Sequence, residues 1–148
     1  MPDVTMRSLM TAAPPSIGPK DTVRRARALL REMNMAELLV MDDRKLVGTL
    51  NERDIWERCP TAMVVLSEKQ ADELLEQFRV GGIMALHPQV VNPDTSLPDA
   101  VRLLAQSGRT GLPVIEDGTP IGFVTETSLM EAAAILLTDQ SSNLSSYK

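Results

Sequence analysis

Aromatic side chains make up only 3% of the 148 residues, as one Trp, one Tyr and two Phe. A core therefore has to be assembled from Leu, Val, Ile, Ala and the nine Met, whose flexible side chains fill irregular gaps. The lone cysteine, Cys59, excludes an internal disulfide and fits a reducing compartment. The lone histidine, His87, stands 28 positions away, so no metal-ligand spacing exists and nothing orients a nucleophile–base pair. Phosphate-binding loop, dinucleotide fingerprint and nucleophile elbow are all missing from the sequence. No catalytic residue, metal site or required cofactor is expected, and the chain does not read as an enzyme. A basic excess is missing too: the net charge is −5 and the pI about 4.9, against general nucleic-acid binding. No apolar run approaches the roughly 18 residues that span a bilayer. The opening Met-Pro-Asp-Val is not a basic region followed by an apolar run. A cytoplasmic protein without membrane attachment is the expectation.

What is present is a repeat. Residues 9–55 lie on residues 83–129 with a constant offset of 74 and no gap. Met10 falls on Met84, Pro14 on Pro88, Pro19 on Pro93, Ala26 on Ala100, Leu38 on Leu112, Val40 on Val114, Asp43 on Asp117, Gly48 on Gly122 and Glu52 on Glu126. Two copies do not make a solenoid; they predict a pseudo-two-fold pair of small units with function in the clefts between them. Each copy alone is near the size at which a core is marginal, roughly 60 residues. Charge divides unevenly between them. Residues 1–66 hold ten Lys/Arg against nine Asp/Glu, and residues 67–148 hold five against eleven, so an anionic ligand favours the first half.

Each copy reads as β-α-β-β-α, an α+β fold. A short extended segment (Ser16-Ile17-Gly18; Gln89-Val90-Val91) leads to a proline and to cap candidates, Asp21-Thr22 and Thr95-Ser96. The spacing of Val23, Ala26, Leu30 and Met33, and of Leu97, Ala100, Leu103 and Leu104, predicts a helix face in each copy. Apolar runs flanking 42–45 and 116–119 predict hairpins, and a second helix begins near Glu52 and near Glu126. The expected boundaries are 1–60 for the first copy, 61–79 for a helical connector opened by the capping box Ser67–Gln70, 80–138 for the second copy and 139–148 for a flexible tail. The cluster Lys20, Arg24, Arg25, Arg27 and Arg31 reads as a solvated helix face.

Both copies close on a glycine, two apolar or near-apolar residues, a short polar residue and a charged run: Gly48-Thr49-Leu50-Asn51-Glu52-Arg53-Asp54 and Gly122-Phe123-Val124-Thr125-Glu126-Thr127-Ser128. A strand thus delivers an amide or hydroxyl to a helix N-terminus, where free N–H groups and the dipole favour an anion. A carboxylate in the first helical turn, Asp54, can accept from a ribose diol, and Arg53 beside it can meet phosphate. The bland alternative pairs Asp54 with Arg58 at i+4 and leaves Thr125 as a cap.

These features resemble a tandem pair of cystathionine-β-synthase (CBS) domains, a Bateman module of the stand-alone bacterial type, over residues about 4–132. The resemblance rests on Leu9-Met10 and Ile83-Met84 before the first strand, on Gly111-Leu112-Pro113-Val114, on 42–48 and on the two closing runs. It implies a sensor of AMP, ADP, ATP or S-adenosylmethionine acting in trans on a protein partner, commonly as a homodimer. The exposed apolar helix faces with Met33, Met35 and Met130 are compatible with that dimer. The family pattern closes each domain with Ser or Thr, two residues, then Asp, the hydroxyl meeting phosphate and the carboxylate the ribose. Here the pattern is split: Asp54 keeps the ribose position but Asn51 replaces the hydroxyl, while Thr125 keeps the hydroxyl and Ser128 replaces the carboxylate. Ile17, Leu38, Val91 and Leu112 map to strands that border the base. A non-ligand-binding dimerisation or interaction module with degenerate sites is the alternative.

Overall fold

The computed structural model describes residues 4–59 and 67–145; residues 1–3 and 60 of the expected first copy, 61–66 of the expected connector and 146–148 of the expected tail lie outside them. The chain divides into two compact units, one made of Pro14–Pro88 and the other of Met1–Ala13 with Gln89–Lys148.

In the Pro14–Pro88 unit, β2 (Ser16–Ile17) leads to α2 (Val23–Glu32), the hairpin β3 (Leu38–Asp42) and β4 (Lys45–Leu50), then α3 (Glu52–Arg58), α4 (Glu68–Leu75), a 3₁₀ turn (Val80–Gly82) and β5 (Ala85–Leu86). The sheet order is β2-β3-β4-β5, with β2 parallel to β3 and the other pairs antiparallel. Thr22 caps α2, its hydroxyl accepting from the Arg25 N–H at 3.2 Å. The Ser67–Gln70 capping box opens α4. Val23, Ala26 and Leu30 face the core with Ile17, Leu38, Val40, Leu50, Ile55 and Leu75. Met33, expected on that face, is 53% exposed. The helix ends one residue before it, and Asn34 follows in the left-handed region at φ 50°, turning the chain away.

The other unit holds α1 (Met6–Leu9), β1 (Thr11–Ala12), α5 (Leu97–Ser107), β6 (Gly111–Glu116), β7 (Thr119–Thr125) and α6 (Glu126–Ser145). Its sheet order is β1-β7-β6, and Val91 makes a parallel bridge to Val114. Ser96 caps α5 and Gly108, at φ 66°, ends it. The second core gathers Met6, Val91, Leu97, Ala100, Leu112, Val114, Val124 and Leu129. The last helix runs on to Ser145, through most of the segment expected as a tail.

The two units have the same plan down to the register. Ile17 pairs with Val40 and Val91 with Val114; Leu38 faces Leu50 and Leu112 faces Val124; each hairpin is irregular at the same place, after Val40 and after Val114. The turns match as well. Asp43 and Arg44 (φ 48° and 72°) and Asp117 and Gly118 (φ 51° and 79°) are two-residue loops with both central φ positive, the form whose twist suits a hairpin.

One feature of the arrangement does not follow the copies. The lead of each copy pairs with the closing strand of the other: Ala85 and Leu86 with Thr49 and Gly48, Thr11 and Ala12 with Phe123 and Gly122. Glycine is required where the leads cross. A Cβ on Gly48 would lie 2.7 Å from the Met84 sulfur, and one on Gly122 would lie 2.6 Å from the Met10 sulfur.

Candidate functional site

At the end of β4 the chain turns directly into α3, so Asn51 becomes the helix cap and Asp54 the third residue of its first turn. The two side chains hold each other's backbone. The Asn51 Oδ1 accepts from the Asp54 N–H at 2.9 Å, and the Asp54 Oδ2 accepts from the Asn51 N–H at 2.8 Å. Both residues are buried, at 4% and 3% exposure. The amide nitrogen of Asn51 donates to Glu37 Oε1 at 3.0 Å, and Glu37 is itself only 1% exposed. One residue thus holds two buried carboxylates, Glu37 at the entry of β3 through its side-chain amide and Asp54 of α3 through its backbone N–H. Buried carboxylates persist when charge or hydrogen bonds compensate their lost hydration.

Glu37 was not among the sequence-derived candidates. The available signal was its position: a charged residue directly before the apolar run Leu38-Leu39-Val40, aligned on Gly111 of the second copy. Arg53 lies on the exposed side of α3 and pairs with Glu57 at 2.9 Å. Arg58 does not serve Asp54; its Nη1 donates to the carbonyls of Ile83 and Met84 at 3.2 and 3.0 Å, bracing the lead of β5. Ile17 and Leu38 sit in the core cluster under this junction.

The equivalent junction of the other unit runs from β7 into α6. Thr125 Oγ1 accepts from the Ser128 N–H at 3.1 Å and donates to Ser128 Oγ at 2.9 Å. The Glu126 N–H donates to the Thr110 carbonyl at 2.8 Å. Val91 and Leu112 lie in the second core, as Ile17 and Leu38 lie in the first. The bond from the third helical N–H to the cap side chain is therefore kept in both units, but the return bond differs: Ser128 accepts from the Thr125 hydroxyl, where Asp54 accepts from the Asn51 backbone N–H. Hydroxyls both donate and accept and carry no charge.

The arginines of α2 are not all solvated. Arg27 is buried, at 4% exposure, its guanidinium 5.9 Å from the Trp56 ring centre and facing the carboxylates of Glu68 and Asp72 on α4. Helix α4 explains the difference, because it lays acidic residues along the face that the sequence alone left open. Among the described residues, no group of three or more His, Cys, Asp and Glu could hold a metal ion, and no helix is long and apolar enough to cross a membrane. Cys59 is buried, and burial pushes its thiol pKa up, which makes it a poor nucleophile at neutral pH.

Comparison with known proteins agrees with this geometry. The family model of the CBS domain matches residues 6–55 and again 80–135. The chain is 28% identical over 120 residues to the CBS domain-containing protein YhcV of Bacillus subtilis, a match that takes in 81% of this chain and 79% of YhcV. It is 27% identical over 140 residues to an uncharacterised protein of Methanocaldococcus jannaschii, covering 92% of this chain but spanning only 33% of that longer one. Among solved structures, the CBS-pair protein CBSX2 of Arabidopsis thaliana superposes with a TM-score of 0.74 at 29% identity, covering 93% of this chain and 99% of that one. CBSX2 in complex with AMP superposes with a TM-score of 0.71 at 30% identity, covering 88% and 96%.

Proposed function

Because the chain belongs to the CBS-domain family, with two copies of the domain spread across most of its length, we propose that it is a regulatory module that senses an adenosyl ligand. The observation that carries the reading is the pairing of Asn51 and Asp54 at the start of α3. A carboxylate held there by a backbone N–H has its rotamer fixed before any ligand arrives. Its two oxygens offer about four acceptor directions, so a ribose diol adds to the bond with Asn51. Arg53 supplies a phosphate contact by exchanging Glu57 for the ligand, an exposed i,i+4 pair worth only about 0.3–0.5 kcal/mol. In the other unit Thr125 and Ser128 bind a ligand through hydroxyls alone, which favours a weaker site. The solved complex of CBSX2 with AMP supports the choice of ligand class, and AMP, ADP, ATP and S-adenosylmethionine are the compounds to compare.

The module is not an enzyme in this reading. Ligand binding shifts the populations of two arrangements, and a protein partner or a second copy reads the shift through differential affinity. Met33 and Met130, 53% and 64% exposed, supply apolar contact for a homodimer, whereas Met35 is half-buried against its own core.

A second reading is supported by one observation: Asn51 and Asp54 satisfy each other's backbone as a complete capping box, and Arg53 is paired with Glu57. These residues are thus stable without a ligand, as in an interaction module whose sites have degenerated. A thermal-shift panel of AMP, ADP, ATP, S-adenosylmethionine and adenosine separates the two. Saturable stabilisation, about 2.7 kcal/mol at a hundred-fold excess over Kd, that is lost in Asp54→Asn and kept in Arg25→Ala supports sensing. A flat response to every compound at millimolar concentration leaves the interaction module.

A further inference from the structure

A cavity of about 330 Å³ opens between α2 and α4, with Arg24, Arg27, Arg31 and the carboxylate of Glu32 on one wall and Glu68 and Asp72 on the other. That volume is at the lower end of the roughly 300–1,000 Å³ of ligand sites. The three arginines fall at i, i+3 and i+7 of α2, so they share one helix face. Arg24 and Arg31 stand half-exposed at the rim, at 51% and 45%, while the Arg27 side chain is 5% exposed.

Arg27 is charge-compensated but not hydrogen-bonded. Its Nη1 lies 3.6 Å from Asp72 Oδ1 and its Nη2 lies 3.8 Å from Glu68 Oε1. N–H···O bonds end near 3.2 Å, and neither Nε nor Nη1 has a hydrogen-bond partner among the described residues. A guanidinium in this state is costly, because the field of the carboxylates is present while the donors go unused. The Trp56 ring lies 5.9 Å from the guanidinium carbon, within the range of cation–π attraction.

We propose that this cavity binds a small phosphoryl oxyanion, with Arg27 as its floor and the Glu68 and Asp72 carboxylates as the ions it displaces. A tetrahedral oxyanion presents two oxygens at the spacing of the guanidinium fork and supplies the short bonds that Asp72 and Glu68 do not. Arg31 and Arg24 close on it from the rim. Glu68, 74% exposed, gives up its 3.8 Å contact with Arg27 and its 3.2 Å hydrogen bond from Arg31 at little cost, since solvent screens both. The same carboxylates set the affinity low until they move, so occupancy is coupled to the hold of α4 on α2. The site shares no residue with the Asn51–Asp54 junction and stands whether or not that junction binds a nucleotide.

The test is isothermal titration calorimetry of the full chain with inorganic phosphate and pyrophosphate, against sodium chloride at matched ionic strength. Saturable binding is expected, tighter for pyrophosphate. Glu68→Gln tightens it by about three- to ten-fold, since one competing carboxylate is gone. Arg31→Gln weakens it about ten-fold, the loss of one charge-assisted hydrogen bond, and Arg27→Lys, which cannot offer the planar fork, weakens it further. Arg31 is on the surface, so its variant keeps the test decisive if Arg27→Lys does not fold. Competition by ADP but not by adenosine identifies the natural source as a nucleotide tail; competition by neither identifies free phosphate or pyrophosphate. Absence of saturable heat in both the wild type and Glu68→Gln, or affinities indifferent to Arg31→Gln, overturns the proposal.

Discussion

Replacing Gly48 by alanine is the sharpest probe of the exchange between the two copies. The added methyl would lie 2.7 Å from the Met84 sulfur and 2.8 Å from the Ala85 carbonyl oxygen. A flexible thioether can swing aside, but the carbonyl belongs to β5, whose register on β4 is fixed by the pairs Gly48–Leu86 and Thr49–Ala85. The strand must therefore lift, and with only two residues it has little to hold it. Overpacking of this kind costs about 1–3 kcal/mol, and each backbone hydrogen bond lost on lifting adds about 0.5–1.5 kcal/mol. Part of the strain is relieved by the movement that breaks those bonds, so the terms do not simply add; about 2–3 kcal/mol is expected. With a urea slope of about 1–3 kcal/mol per molar, the unfolding midpoint falls by roughly 1 M. Gly82→Ala is the control, because a Cβ there meets nothing within 4 Å, and its effect should stay within about 0.5 kcal/mol. Equal midpoints for Gly48→Ala and Gly82→Ala would falsify the close crossing of β5 over β4 and with it the exchanged leads.

Asn51→Ala removes a cap, worth about 1 kcal/mol, and takes from the buried Glu37 the amide that donates to it at 3.0 Å, so a total of about 2–3 kcal/mol is expected in urea unfolding. Thr125→Ala, at a half-buried cap with a neutral partner, should cost about 1 kcal/mol; a larger loss at Thr125 than at Asn51 contradicts the tie between the two carboxylates. Arg44 sits at φ 72° where the second copy has Gly118 at φ 79°, so Arg44→Gly should raise stability by up to about 1 kcal/mol, and a destabilised variant would remove strain at that turn as a factor. Burial raises the Cys59 pKa above its reference of 9.0: the unfolded thiol ionises first, so its contribution is intact below pH 9.0 and lost as pH climbs through the folded value. Stability measured from pH 7 to pH 10.5 should therefore fall more steeply in the wild type than in Cys59→Ala, and parallel curves refute the effect.

The fold was legible to the extent that local chemistry agreed with the pattern. The hairpins were legible because apolar runs flank a polar turn at the same places in both copies, and the structure pairs β3 with β4 and β6 with β7 there. Caps were legible for a related reason: Thr22, Ser67 and Ser96 bond to backbone three residues on, a contact determined by local spacing. The crossing of the leads was not legible. Thr11-Ala12 and Ala85-Leu86 are two-residue strands, too short for any periodicity to reveal, and their partners lie in the other copy. The only trace was the recurrence of Met10 as Met84 and of Gly48 as Gly122, which does not say which methionine crosses which glycine. Met33 misled for a different reason, since helical spacing extends a face past the residue at which the helix stops.

The site was half legible, and the residues that escaped notice share one cause. Asn51 and Asp54 could be read because cap and first turn are three positions apart in sequence, the same distance at which their bonds form. Glu37 and Arg27 could not, because their surroundings are made by segments 14 and 41 positions or more away: Asn51 for the carboxylate, Glu68 and Asp72 for the guanidinium. Arg27 is buried by an element from outside its own helix, whereas Glu37 meets Asn51 across its own hairpin, one step beyond the Leu38–Leu50 pair. These contacts decide the chemistry as well. Once α4 lies across α2, Arg27 can no longer act as one of several solvated cations; it is a buried cation, two of whose nitrogens have no hydrogen-bond partner among the described residues. Once Asn51 bridges Glu37 and Asp54, the junction of β4 and α3 is no longer a cap alone. There Asn51 also holds two buried carboxylates, Glu37 through its side-chain amide and Asp54 through its backbone N–H.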